Sequence, residues 1–174
     1  MGAEPTLEQR LRSCQRSAVH LEMRDSYMRS DPRFIAWQNG VRDDPAESDP
    51  AQRPWLRLVA ELVAQGVEVR RARIVSEPVS DYIRFEHHLT APNVEAGEQV
   101  RWLPRRRVSG LALPGNDYWL FDGTSALFHH FAGDGELAPD DEEFTDDPAV
   151  VKLCADAFEA VWPLAVDHAG YTPH

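Results

Sequence analysis

The 174-residue sequence predicts a layered α/β or α+β domain, and three features carry that expectation. A helical stretch from Pro54 passes through Gly66 directly into VEVRRARIV (67–75), a run rich in β-branched residues. Two apolar runs, DYWLF and TSALFHHF, flank Asp122-Gly123, a dipeptide favoured in two-residue hairpin turns. A proline-started amphipathic stretch then follows Asp147 near the end of the chain.

In chain order, residues 6–29 read as a first helix. Leu7, Leu11, Cys14, Ala18 and Leu21 fall at 4-3-4-3 spacing, and Thr6 with Gln9 makes a capping box. Ser30-Asp31-Pro32 opens a second, short helix with Phe34, Ile35 and Trp37 on its apolar side and Asn39-Gly40 as its stop. These two helices suggest an N-terminal helical extension, 1–40, separated by a polar, proline-containing loop, 41–53, from an α/β domain, 54–174. In that domain a helix from Pro54 to Gln65 precedes the strand 67–75. VSDYIRFEHHLT suits an amphipathic helix, Gln99–Leu103 a short strand, and the Asp122-Gly123 hairpin ends at Gly133-Asp134-Gly135. The acidic run 134–147, eight acids with no base, reads as a solvated loop. Val150, Val151, Leu153, Cys154, Ala157, Phe158 and Val161 mark the buried side of a last helix.

Charge and composition exclude several classes of function. A formal net charge of -11 argues against direct nucleic-acid binding. Seventeen of the 18 basic residues are arginine, with Lys152 the single lysine; that bias reads as genome composition rather than phosphate recognition. No apolar run approaches the roughly 18 residues that span a bilayer. The N-terminus lacks a secretory pattern, so no membrane association and a cytoplasmic location are expected. Two cysteines, Cys14 and Cys154, support neither a disulfide framework nor a zinc site, and both sit on apolar helix faces as inert thiols.

The motifs of common chemistries are missing. There is no G-x-x-x-x-G-K-[ST], no G-x-G-x-x-G, no G-x-S-x-G elbow and no H-E-x-x-H. Adjacent His129 and His130 on a strand point to opposite faces, and His87 and His88 diverge by about 100° on a helix, so neither pair ligates a metal from one side. No metal, no cofactor and no catalytic residue is assigned. The richest polar string is Glu77-Pro78-Val79-Ser80-Asp81-Tyr82-Ile83-Arg84-Phe85-Glu86. Three acids surround one arginine there, and Arg84 can reach Asp81 at i−3 on a helix. Three readings stay open: a structural network pinning the helix to the strand before it, a polar pocket with Trp102, Asp117 and Trp119 as walls, or a catalytic carboxylate pair, which no nucleophile or metal in the sequence completes.

The order of helices and strands ending in Asp122-Gly123 resembles half of a phospholipase D-type domain. That family works through H-x-K-x-x-x-x-D, in which the histidine attacks phosphorus and the lysine binds a phosphate oxygen. With the family's aspartate on Asp122, its histidine falls on Gly115 and its lysine on Asp117. The resemblance therefore implies a small mixed sheet flanked by helices with the phosphodiesterase site lost. The 77–86 string, Asn93-Val94-Glu95-Ala96-Gly97-Glu98, Leu103-Pro104-Arg105, Asp117-Tyr118-Trp119-Leu120-Phe121-Asp122 and the regions of Leu21-Glu22 and Tyr27 resemble an actinomycete family with a domain of unknown function. Its members are commonly encoded beside helix-turn-helix regulators, which implies a protein partner of that kind.

Together these readings lead to an expected regulatory or interaction protein without enzymatic activity, the partner of a DNA-binding regulator or a homodimer. The alternatives are a hydrolase or phosphodiesterase using Glu77, Asp81 or His88, and a small-molecule sensor. The apolar side chains Leu7, Leu11, Leu21, Phe34 and Trp37 need cover, either from the domain's own sheet or from another chain. The second option makes 6–40 the interface.

Overall fold

The computed structural model describes residues 4–42 and 53–174, so most of the loop expected over 41–53 lies outside the described residues. Seven strands form one sheet: β1 (Ser17–Glu22), β2 (Glu68–Val75), β3 (Gln99–Pro104), β4 (Asp117–Phe121), β5 (Ser125–Phe131), β6 (Leu137–Thr145) and β7 (Val166–Asp167). Their order is β6-β5-β4-β1-β2-β3-β7. Strands β1, β2 and β3 are parallel, and all other pairings are antiparallel. The expected mixed α/β sheet flanked by helices is therefore present.

The helices are α1 (Leu7–Ser13), α2 (Pro32–Gln38), α3 (Pro54–Ala64), α4 (Asp81–Glu95) and α5 (Pro148–Val161). They divide unequally between the faces. Val151, Cys154, Phe158 and Val161 of α5 pack on Val19, Leu21, Ala72, Ile74, Leu103, Tyr118 and Leu120, the residues of one sheet face. The other face alternates with these and carries two separate apolar clusters. Leu11 of α1 and Leu58 and Leu62 of α3 cover Ala18, Val69, Trp119 and Phe121 at one end. Phe34 of α2 and Tyr82, Ile83 and Phe85 of α4 cover Val75, Val100 and Trp102 at the other. The sheet between those clusters is floored by polar side chains.

Local signals explain most of the elements. The capping box forms, with Thr6 Oγ1 accepting from the Gln9 N–H (3.3 Å) and the Thr6 N–H donating to Gln9 Oε1 (2.9 Å). Asp31 caps α2 and Asp147 caps α5, each followed by proline in the first turn. Gly66, at φ +88°, releases the chain from α3 into β2. Asp122 and Gly123 both take positive φ (51° and 70°), and the Thr124 N–H donates to the Phe121 carbonyl (2.9 Å). Both thiols are buried, and burial pushes Cys14 up to about 12 and Cys154 to about 11.

Two expectations are corrected. The helix expected over 6–29 ends at Ser13, and Ser17–Glu22 is instead a strand between β2 and β4. The N–H groups of Gln15, Arg16 and Ser17, which a longer helix would have used, donate to the Asp122 carboxylate (2.9, 2.8 and 2.9 Å). Being buried on both faces, β1 lacks the alternation that announces a strand. The 1–40 segment is thus not a helical extension, and Leu11, Leu21 and Phe34 are core side chains. Leu7 and Trp37 are partly buried against the two clusters, so the proposed interface set is internal packing. The acidic run, expected as a loop, supplies the edge strand β6. Its backbone pairs with β5 while most of its acids stay in water. Like charges on such an edge discourage further strand pairing.

Asp122 gives a direct test of this arrangement. Desolvation works upward on its pKa, but the N–H groups of Gln15, Ser17 and Arg16 outweigh it and hold the carboxyl below its usual 3.8. Asp122→Asn tolerates the positive φ but loses the charge, and it should cost about 1–2 kcal/mol, kept low by the group's exposure to water. A depressed folded pKa stabilises above the unfolded value, so the gap between wild type and variant should close as pH falls below about 4. Urea unfolding at several pH values measures it, and a gap independent of pH would refute the account.

Candidate ligand cleft

The polar floor begins with the pleat. His20 and Glu22 alternate on β1, Arg71 and Arg73 on β2, Asp117 and Trp119 on β4, and His129 and Phe131 on β5, all on the face between the two apolar clusters. Arginines buried in a central strand require carboxylates. Arg71 Nη1 donates to Glu22 Oε1 (2.7 Å) and its Nε to Glu98 Oε1 (2.6 Å). Arg73 Nη1 donates to Glu86 Oε2 (2.6 Å), and its Nε lies 2.8 Å from Glu22 Oε2. Glu98, 1% exposed, also accepts from Asn93 Nδ2 (2.7 Å), which ties β2 to the end of α4. Arg73 further lies over the Trp102 ring, 5.1 Å from its centroid.

Above this network is a cleft of about 390 Å3, bordered by Tyr27, Trp55, Tyr82, Phe85, Trp119 and Phe131 as well as the charged floor. That size is within the range of small-molecule sites. Asp117 closes one end. Its Oδ1 accepts from the Met23 N–H (2.8 Å) and its Oδ2 from the Tyr27 hydroxyl. Desolvation raises the Asp117 carboxyl to about 6, with Glu22 adding to the shift and the Tyr27 hydroxyl opposing it. His20 stacks on Trp119, with ring centroids 4.3 Å apart. Burial, then Arg71, drives His20 well below its usual pKa, so its ring is neutral at pH 7. Burial lowers His129 as well.

The residues singled out from sequence divide between two places. Tyr82, Glu86, Asp117 and Trp119 border the cleft. Trp102 is buried beside it, with its Nε1–H donating to His168 Nδ1 (3.2 Å) and its ring stacked on Tyr171. Ser80 caps α4 and donates to the Asp25 carbonyl (2.6 Å). Asp81 is exposed in the first turn of α4, and the expected Asp81–Arg84 pair is absent among the described residues. Glu77 turns away to Arg106 (3.3 Å) and the Tyr171 hydroxyl (3.1 Å). The carboxylates of the 77–86 string therefore do not form one site. Sequence reasoning missed His20, Glu22, Tyr27, Arg71, Arg73 and Glu98. The available signal was Arg71 and Arg73 at i, i+2 in a strand otherwise fit for burial. Among the described residues no group of three or more His, Cys, Asp or Glu side chains could hold a metal ion.

Comparison with known proteins places the fold. Nuc from Salmonella typhimurium, a phospholipase D family member, superposes with a TM-score of 0.53 at 8% identity, covering 92% of this chain and 86% of that one. NucT from Helicobacter pylori gives 0.48 at 13% identity over 92% and 87%. The archaeal chromatin protein TrmBL2 gives 0.49 at 12% identity over 91% of this chain and 48% of its own. No curated protein matches the chain. The likeness to Nuc gives the sheet and its helices the phospholipase D-type fold, and a family model matches residues 5–173, so the chain belongs to the family with the domain of unknown function DUF6879.

Proposed function

We propose that this is a regulatory protein that acts by binding a small molecule in the cleft rather than by turning one over. One observation carries the reading: the cleft is aromatic-walled and its floor charges are engaged with one another. Arg71 and Arg73 are held by Glu22, Glu86 and Glu98. Such an arrangement orients a ligand but presents no activated nucleophile. Gly115 and Asp117 stand where the phosphodiesterase pattern needs histidine and lysine, which supports the same conclusion.

The effect of the ligand would be read by a protein partner, of the DNA-binding kind that the family resemblance suggests, or by a second copy of the chain. Exposed Met28, which borders the cleft, and exposed Ile35 and Val41 near it in sequence support an output on that side. A metabolite library screened against the full chain by thermal shift tests the reading. A ligand should raise Tm by several degrees, survive long incubation unchanged by mass spectrometry, and lose its effect in Leu89→Trp, which narrows the cleft. Consumption of the bound compound, or binding indifferent to Leu89→Trp, would refute it.

A further inference from the structure

We infer that the cleft takes a small organic cation, an amine with an aliphatic or flat body, and that Asp117 supplies its counter-charge. The inference rests on the binding reading above and names the ligand class for that same site. Four carboxyl groups meet two guanidinium groups in and under the floor. Glu22 is shared by Arg71 and Arg73, Glu98 pairs with Arg71, and Glu86 with Arg73. Asp117 is in none of the ion pairs of the described residues. Only neutral donors, the Met23 N–H and the Tyr27 hydroxyl, satisfy it.

The surroundings of Asp117 do not supply the missing charge. Glu22 on β1 adds negative potential, and His129, its partner across β5, and His20 on β1 are both neutral through burial. Arg24 draws the carboxyl down but forms no ion pair with it among the described residues, and its guanidinium lies over the Phe131 ring, 4.9 Å from the centroid. An anionic ligand would meet this carboxylate and Asp31, and of the four guanidiniums that border the cleft those of Arg71 and Arg73 are already compensated by three acids, Arg33 and Arg53 being the other two. An amine would meet a carboxylate flanked by rings: Tyr27 packs edge-on against Phe131 (5.1 Å) and against Tyr82 (6.0 Å). Aromatic faces beside a carboxylate favour cations.

His20 provides an independent indication. It is only 9% exposed and borders the cleft, yet its Nδ1 has no hydrogen-bond partner. Glu22 Oε1 is 3.3 Å from that nitrogen but out of hydrogen-bonding line. A buried polar atom without a partner is rare unless something completes it. With the ring proton on Nε2, Nδ1 is an acceptor, and the N–H of an ammonium ligand is the donor it lacks.

Calorimetric titration of the full chain tests this with phenethylamine and butylamine as cations, and with 2-phenylethanol and phenylacetate as neutral and anionic counterparts. The amines should bind at least about tenfold more tightly than the alcohol or the acid. The carboxyl titrates near 6, so amine affinity should fall about tenfold between pH 7.5 and pH 5 as Asp117 takes up its proton. Asp117→Asn should abolish the preference for amines and the pH dependence together. The wild-type pH profile decides the matter alone if that variant does not fold. Preferential binding of phenylacetate or 2-phenylethanol would overturn the cation inference while leaving the binding reading standing. Amine binding indifferent to pH and to Asp117→Asn, or no amine binding, would also overturn it, and the library screen would then judge the binding reading separately.

Discussion

Deleting residues 1–40 should abolish cooperative folding. The segment includes β1, whose six residues pair with β2 on one side and whose Ala18–Leu21 pair with β4 on the other. Without it, two interior strands lose their neighbour and leave ladder N–H and C=O groups unpaired. The same deletion removes Leu11, Ala18, Val19, Leu21 and Phe34, which contribute to all three apolar clusters. Each large buried aliphatic or aromatic side chain lost costs roughly 2–5 kcal/mol, against a total stability of about 5–15 kcal/mol. The truncated protein should be insoluble or lack a cooperative thermal transition by circular dichroism. A soluble fragment with a sharp transition would mean that the sheet can close without β1, contrary to the topology described here.

The second large effect is expected at Arg73. Its guanidinium, in a side chain 8% exposed, neutralises Glu22 and Glu86 together. Arg73→Ala leaves both carboxylates without that charge, and breaking a buried ion pair from one side costs about 3–5 kcal/mol. Arg73→Lys should recover only part of this loss, because a point charge cannot bridge two carboxylates as a planar fork does. Urea denaturation at neutral pH measures both variants. Much of the Arg73→Ala deficit should return in the double variant Arg73→Ala/Glu86→Gln, which removes one of the two stranded carboxylates. A deficit below about 1 kcal/mol would place the network in water rather than in the core.

How much of this was legible in sequence varies along the chain. The helices at 54–64, 81–95 and 148–161 announce themselves by proline or serine starts, apolar periodicity and stop signals, all of which are local. The 117–131 hairpin is equally local, because Asp122 and Gly123 supply the positive φ that its turn needs.

The sequence by itself determined the mixed α/β class, most of the element order and the identities of the side chains available to a site. Only the tertiary structure decided that 17–22 is a strand. Its apolar residues fit a helical stripe as well, and the choice depends on β2, β4 and the Asp122 carboxylate, which is more than 100 residues away in the chain. It likewise decided which polar residues meet. Glu22, the pair Arg71 and Arg73, Glu86 and Glu98 come from four separate places in the sequence, and the register of β1 on β2 together with the packing of α4 and its C-terminal turn, invisible in any local window, brings them together. The 77–86 string looked like one polar site because its residues are consecutive. A helix instead turns Glu86 toward the sheet and leaves Asp81 in water, so neighbours in the chain part company and distant residues form the cleft.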